Sequence, residues 1–391
     1  MTLRRLVLIT RRFWPLVGGA ERAMAGLAQE FQRLGHQVQV VTAQWEPHWP
    51  SELKHCEIDV TRLPHPKTRG WGTFRYMTRL KKWLRQHADE YDAALVSMLK
   101  HDAHVTVKML DKLGKPTVIR AEGSGPTGDC AFHKTARFGG RMKKTSMLAD
   151  SIIAPSTKVQ EELLESGFAD EQVHFVANGV EITNSDRAQK LVSRRSLAEA
   201  HPILTVESGE PLVVYTGRMD IQKGLLDLVN AWKIVSRTFP KGRLWLIGEG
   251  PDGRRIWDTI RQTRQTYEIV MPGTFDDVSD LLNAADAFVL PSYQEGMSLS
   301  LLEAMAHELP VVASDIPGNR DLVQQDRGFL FPPGNVESLA EALLAALQKQ
   351  RIANEYAANA KSFVSTHYSL NKMAKEHLKI IAAASGETES I

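Results

Sequence analysis

The sequence predicts an α/β protein of two doubly wound domains, each a parallel sheet with helices on both faces. Three observations carry this. Short apolar runs suited to buried strands recur at residues 6–10, 37–42, 93–98, 117–120, 151–154 and 174–176, and again at 212–216, 243–247, 267–271, 287–290 and 311–313. Amphipathic helical stretches lie between them, and strands alternating with helices demand parallel sheets. The length, 391 residues, suits two domains of ordinary size. A polar stretch without a strand pattern separates the two sets of runs. The expected boundaries are a first domain at 1–184, a linker at 185–208, a second domain at 209–365 and a final helical segment at 366–391.

The first strand follows Arg4-Arg5 and ends at Arg11-Arg12. Its apolar run is too short for the core of a secretory leader, so a strand is the better reading. Gly18-Gly19 then opens a helix at Ala20, with Met24, Leu27, Ala28, Phe31 and Leu34 on one face and Gly35 at its end. In the second half, the strand at 212–216 runs into Gly217-Arg218, and Lys223-Gly224 opens the next helix. The strand at 287–290 runs into Pro291-Ser-Tyr-Gln-Glu-Gly-Met-Ser-Leu, and a helix is expected from about Ser300 to Leu309. A last helix is expected at about 370–384, before a polar tail.

Composition bounds the function classes. Apolar residues make up 43% and charged residues 24%, as in soluble globular proteins. No apolar run reaches membrane-spanning length. Cys56 and Cys130 give neither a disulfide framework nor a zinc spacing, so a cytoplasmic protein is expected. Net charge is +2 but uneven: residues 1–184 hold 26 basic and 20 acidic side chains, the remainder 22 and 26. No nucleic-acid recognition module is apparent.

Glu295 and Glu303 are the central pair. Both lie near the start of a helix that follows a parallel strand, where backbone N–H groups and the helix dipole favour an anion. Two carboxylates beside phosphate donors suit a phosphorylated polyol such as a nucleotide-sugar. A simpler reading makes Ser300-Leu-Leu-Glu303 a capping box. Arg218 and Lys223 offer a forked guanidinium and an ammonium for a diphosphate, or else are solvated surface cations. Gly248-Glu-Gly-Pro-Asp-Gly253 formally matches G-x-G-x-x-G. It sits on a mid-chain strand, Pro251 removes an N–H, and no acid ends the following strand, so dinucleotide binding is disfavoured.

Taken together, Gly18-Gly19-Ala-Glu-Arg, Asn178-Gly179-Val180, Gly217-Arg218 with Lys223-Gly224, Gly248-Glu-Gly-Pro, the Glu295/Glu303 segment and Leu309-Pro-Val-Val-Ala-Ser resemble the retaining glycosyltransferases of family 4. That resemblance implies the GT-B fold: two Rossmann-like domains facing a cleft, with the C-terminal helix crossing back to the first domain. It implies that Glu295 positions the donor sugar, that Arg218 and Lys223 neutralise the leaving diphosphate, and that Glu303 holds the ribose. Gly19, Gly296, Met297, Ser298 and Leu299 would complete the phosphate cradle, Gly18 and Gly217 would also line the donor site, and Thr274 would lie beside the nucleobase. It further implies transfer with retention, with no cofactor; no D-x-D motif occurs, so no metal is expected. The family commonly has a histidine in the loop after the strand at 117–120. This chain has Ala121-Glu-Gly-Ser-Gly125 there, leaving Arg120, Glu122 or Ser124 as acceptor-side candidates, with His101, His104 and His133 as further ones.

The run from Arg62 to Arg85 contains eight basic residues and no acid, interleaved with Trp71, Phe74, Tyr76 and Trp83. Lys134, Arg137, Arg141, Lys143 and Lys144 form a second cluster. Basic and aromatic residues together suit peripheral contact with anionic lipid at the inner membrane face and a lipid-linked saccharide acceptor. The competing reading is an amphipathic helix with its aromatics packed inward. The function expected is glycosyl transfer from a nucleotide-diphosphate sugar to a glycan or lipid-linked acceptor in cell-surface polysaccharide or lipopolysaccharide synthesis. The alternatives are an epimerase-like enzyme acting on the sugar nucleotide itself, and a non-catalytic sugar-nucleotide-binding protein.

Overall fold

A computed structural model describes residues 4–16, 18–66, 71–183, 187–324 and 326–386. The chain divides into two compact units, one formed by residues up to Gly179 together with those from Leu370 on, the other by Val180–Ser369.

The first unit holds strands β1 (Arg5–Ile9), β2 (Gln37–Gln44), β3 (Glu52–His55), β4 (Ile58–Pro64), β5 (Ala93–Ser97), β6 (Thr117–Arg120), β7 (Ser151–Ala154) and β8 (Val173–Phe175). Their order across the sheet is β3-β4-β2-β1-β5-β6-β7-β8. Every pairing is parallel except that of β3 with β4. β1 is central, and its side chains alternate between two cores. Leu6 and Leu8 pack with Met24, Leu27 and Phe31 of the helix Gly19–Arg33, and with Met373 and Leu378 of the helix Leu370–Ala384. Val7 and Ile9 pack with Tyr76, Leu80 and Leu84 of the helix Trp71–Gln86 and Leu110 of the helix His101–Leu113. Each fully buried aliphatic side chain contributes about 2 kcal/mol, so both faces of β1 are strongly held. This placement confirms the strand reading of residues 6–10.

The second unit holds β9 (Leu212–Thr216), β10 (Arg243–Ile247), β11 (Ile269–Gly273), β12 (Ala287–Leu290), β13 (Val311–Ser314) and β14 (Phe329–Phe331). All are parallel, in the order β11-β10-β9-β12-β13-β14. The chain starts at β9, winds outward to β11, then returns past β9 to β12. The winding direction therefore reverses between β9 and β12, and such a switch point opens a crevice at the strand C-termini.

The expected linker at 185–208 is largely helical. Asn184 to Asp186 lie outside the described residues, but Arg187–Ala200 form a helix followed by a short 3-10 turn, Pro202–Leu204. Polar anchors dominate its attachment. Arg194 Nη2 pairs with Asp286 at 2.7 Å, Lys190 reaches the same carboxylate, and Ser193 Oγ donates to Asp280 Oδ1 at 2.9 Å. A helix held by ion pairs carries little apolar periodicity, which is why it read as linker.

Candidate active site

The β9–β12 switch point gathers the principal candidates. After β9, Gly217 takes a φ of 156°, and a Cβ there would lie 2.6 Å from the Tyr215 hydroxyl. The Arg218 side chain is 63% exposed, and Asp220 Oδ2 stands 3.4 Å from Nη2. Asp220 caps the 3-10 turn Ile221–Lys223 by accepting from Gln222 N–H. Gly224 follows with a left-handed φ of 67°, and a Cβ there would sit 2.0 Å from the Pro291 carbonyl oxygen. The loops after β9 and β12 are thus in backbone contact, and only glycine fits. Tyr293 N–H donates to Gln222 O at 2.9 Å, tying them further.

This contact brings Lys223 to Glu295. Lys223 Nζ donates to Glu295 Oε1 at 2.7 Å, and Ser292 Oγ donates to the same oxygen at 2.6 Å. The Lys223 and Glu295 side chains are 23% and 10% exposed. Burial, followed by the charge of Glu295, pushes the Tyr215 phenol far above its ordinary pKa. The loop holding Glu295 is braced from behind. Ser314 Oγ donates to Ser292 O, Asn319 Nδ2 donates to Ser314 Oγ at 3.1 Å, and a Cβ on Gly318 would lie 2.6 Å from the carbonyls of both Glu295 and Gly296.

Gly296, Met297, Ser298 and Leu299 lead into the helix Leu299–Ala306, whose N-cap is Ser298, with its Oγ accepting from Leu301 N–H at 3.3 Å. Ser300 therefore lies inside the helix, and the Ser300/Glu303 capping box does not form. Glu303 sits beyond the first turn, half-buried, and its carbonyl accepts from His307.

The glycines after β10 have a structural use. A Cβ on Gly248 would meet Gly217 O at 2.0 Å, and one on Gly250 would meet Met219 O at 2.3 Å. Met219 N–H donates to Glu249 O, and Asp252 Oδ2 accepts from Ile221 N–H at 2.8 Å. The G-x-G-x-x-G segment thus supports the loop carrying Arg218 and Lys223. Thr274 is exposed and follows β11, two strands away from β9 along the sheet.

The first unit has its own switch point, between β1 and β5. Gly18 is the N-cap of the helix Gly19–Arg33. The Glu21 carboxylate folds over this end: a Cβ on Gly18 would lie 2.3 Å from Glu21 Oε2, and Arg12 Nε pairs with Glu21 Oε1 at 2.8 Å. A ligand phosphate at Gly18 and Gly19 would have to displace the chain's own acid.

Arg120, at the end of β6, is fully buried. It pairs with Glu122 and donates to Asn178 Oδ1. Ser97 Oγ donates to Glu122 Oε1 at 3.1 Å, and Glu122 N–H donates to Asp129 Oδ2 at 2.9 Å. Burial raises the pKa of both Glu122 and Asp129; Arg120 opposes it at Glu122, and Lys100 at Asp129. Asp129 and Lys100 carry no sequence signal for this role and emerge only in three dimensions. Ser124 lies half-buried at the start of a 3-10 turn without capping it through its side chain. Burial holds the histidines below their ordinary pKa: His104 drops to about 4, His101 is lowered, and His133, also lowered, bonds the Leu99 carbonyl at 2.7 Å.

The basic run splits between the two readings offered for it. Tyr76 and Trp83 are core residues, while Trp71 and Phe74 are 67% and 59% exposed and meet edge-to-face. Arg75, Arg79, Lys81, Lys82 and Arg85 are exposed beside them. Arg62 does not belong to this surface: it is buried, donates to Trp14 O at 2.7 Å and lies over the Trp49 ring. Lys67 and Arg69 lie outside the described residues. In the second cluster Lys134, Arg137, Arg141 and Lys144 are exposed, next to an exposed Phe138.

The chain resembles known proteins along most of its length. A family model described as Glycosyltransferase Family 4 matches residues 17–184, and one described as Glycosyl transferases group 1 matches residues 210–349. An uncharacterized glycosyltransferase of Methanocaldococcus jannaschii is 24% identical over 97% of this chain and 98% of its own length. A GDP-mannose-dependent alpha-mannosyltransferase of Mycobacterium tuberculosis is 26% identical over 89% of each chain. Among solved structures, Anabaena HepE in complex with UDP and glucose superposes with a TM-score of 0.76 at 17% identity, over 97% of this chain and 100% of that one. At that identity the likeness shows the fold.

Proposed function

We propose that this chain, which is a glycosyltransferase of the family-4 type with the GT-B fold, moves a sugar from a nucleotide-diphosphate donor to a hydroxyl acceptor with retention of configuration. The observation that carries the reading is the Lys223–Glu295 pair spanning the β9–β12 switch point, with Arg218 exposed beside it. The donor diphosphate lies against the N–H groups of residues 296–299, where the helix dipole and both cations favour it. HepE, solved in complex with UDP and glucose, and the GDP-mannose-dependent mannosyltransferase support a nucleotide-linked donor. Glu303 holds the ribose hydroxyls, and Glu295, fixed by Lys223 and Ser292, holds the sugar.

In the transfer step the bond from the anomeric carbon to the diphosphate oxygen breaks, and its electron pair leaves with the diphosphate. The acceptor oxygen bonds to the same carbon on the same face, and its proton passes to a phosphate oxygen. Arg218 and Lys223 stabilise the charge that develops on the leaving group, which is where such donors act most strongly. They supply the positive charge themselves, so the reading requires no divalent cation. The exposed Trp71, Phe74 and neighbouring cations favour a cytoplasmic enzyme resting on an anionic membrane face, and acceptors in polysaccharide or lipid-linked glycan assembly.

The test is to incubate the protein with α-linked UDP-glucose or GDP-mannose in EDTA and read the first product by proton NMR. An α-configured product formed only by the active protein agrees with the proposal. A β-configured first product, or activity abolished by EDTA and restored by a metal, contradicts it. An epimerised donor formed without acceptor would point to the epimerase-like alternative.

A further inference from the structure

A small cavity of about 140 Å³ opens at the switch point of the first unit, lined by Ala20, Met98, Lys100, Glu122, Gly123 and Asp129. Asp129 is only 2% exposed, and its two carboxylate oxygens differ in environment. Oδ2 accepts from Glu122 N–H, whereas Oδ1 makes no well-formed hydrogen bond, with Lys100 Nζ 4.0 Å away and the Leu99 backbone N–H also acting on the carboxylate. A buried acceptor oxygen left unmatched carries a free-energy cost that a ligand donor would remove. Glu122 Oε1, by contrast, is held by Arg120 and Ser97.

We propose that Asp129 is the acceptor-recognition residue, and that the acceptor enters this cavity with a neutral, hydroxyl-bearing edge such as a sugar or cyclic polyol. The inference rests on the glycosyltransferase reading and specifies its acceptor class. A carboxylate only accepts hydrogen bonds, so its complement is an O–H donor. The buried Arg120 and the partly exposed Lys100, with 32% of its side chain exposed, already face two buried carboxylates, Glu122 and Asp129. A hydroxyl adds no charge to this balance. A carboxylate or phosphate would place a third anion beside two, and a buried unpaired charge is strongly unfavourable. An anionic group on the acceptor would have to stay outside the cavity.

The test is calorimetric titration of myo-inositol, methyl α-glucoside, methyl α-mannoside and L-malate into wild-type protein. The protein is saturated with whichever of UDP, GDP or ADP raises its melting temperature. Binding of at least one neutral polyol, with malate weaker or silent, is expected. Asp129→Asn should weaken that polyol about tenfold or more, the worth of one hydrogen bond to a charged group. Its nucleotide-induced melting shift should be unchanged, which also shows that it is folded. Asp129→Ala serves as a second variant at the same position, with the same expectation. Preference for malate, no binding by any polyol, or wild-type polyol affinity in Asp129→Asn would each overturn the proposal. A missing nucleotide shift would instead count against the donor site, and the same titrations on ligand-free protein would still decide the acceptor question.

Discussion

Replacing Lys223 with Met separates the structural from the chemical work of the switch-point pair. The substitution keeps the aliphatic stem and removes the ammonium that holds Glu295 Oε1 at 2.7 Å. Glu295 is 10% exposed and retains Ser292 Oγ at 2.6 Å. One hydrogen bond to a charged group is therefore lost, about 2 kcal/mol. For a unit of this size each kcal/mol moves the melting temperature by about 2–4 °C, so a fall of roughly 4–8 °C is expected. Adding Glu295→Gln removes the stranded charge and should recover much of that loss, because the damage lies in an uncompensated carboxylate. Activity should behave differently. Losing one preorganised donor to the leaving group costs about 100- to 1,000-fold in turnover, and Glu295→Gln should not restore it. The assays are calorimetric melting of wild type, both single variants and the double variant, and initial rates of donor turnover. A Lys223→Met protein as stable as wild type would refute the structural half of the reasoning. Recovery of activity in the double variant would refute the chemical half.

Gly224→Ala should lower activity at least about 100-fold, because its methyl meets the Pro291 carbonyl at 2.0 Å and forces the two loops apart; wild-type rates would show that their contact is not needed. Arg218→Ala, at an exposed position, should leave the melting temperature of the free protein within a degree or so of wild type while weakening a nucleoside diphosphate more than the matching monophosphate; equal weakening in titrations would move Arg218 away from the terminal phosphate. Trp71→Ser/Phe74→Ser should abolish co-sedimentation with anionic vesicles and leave donor turnover in solution unchanged; undiminished sedimentation would remove this face from the membrane account. Burial with no partner for Nε2 depresses His377 to about 3, against 6.5 for an unperturbed histidine. The unfolded chain then binds the proton more readily, so this stability is complete above about pH 6.5 and is lost as pH falls toward 3. Between pH 6.5 and 4.5, His377→Leu should lose about 2 kcal/mol less stability than wild type in denaturant titrations; parallel profiles would contradict it.

Most of the fold was legible because buried parallel strands are near-continuous apolar runs. β1, β5, β9 and β12 all match segments read from the sequence. The missed strands were missed for physical reasons. β3 and β4 are joined by Cys56 and Glu57, both with left-handed φ, of 49° and 63°. Asn-Gly or a similar pair would have announced that hairpin, but here the surrounding pairing imposes the turn on residues that disfavour it. β14 is a three-residue edge strand, too short for any period. Gly217, Arg218, Lys223 and Glu295, which meet at the β9–β12 switch point, could be picked out because they lie in the loops that follow recognisable strands. The cavity of the first unit was only half legible. Glu122 could be picked out after its strand, but Asp129 and Lys100 reach the same cavity from the starts of two different helices, a juxtaposition that no local spacing encodes. The basic run misled at Arg62, since a cation counted as surface charge is buried between a backbone carbonyl and tryptophan rings.

The central claim is a nucleotide-diphosphate donor site at the β9–β12 switch point. The most direct test is a melting panel of UDP, GDP, ADP and their common sugar conjugates on wild type and on Arg218→Ala/Lys223→Ala. At a hundredfold excess over Kd a ligand adds about 2.7 kcal/mol, or roughly 5–10 °C. A shift of that size is expected with one nucleotide family in wild type, and its loss in the double variant. An equal shift in both proteins would place the nucleotide elsewhere and contradict the account.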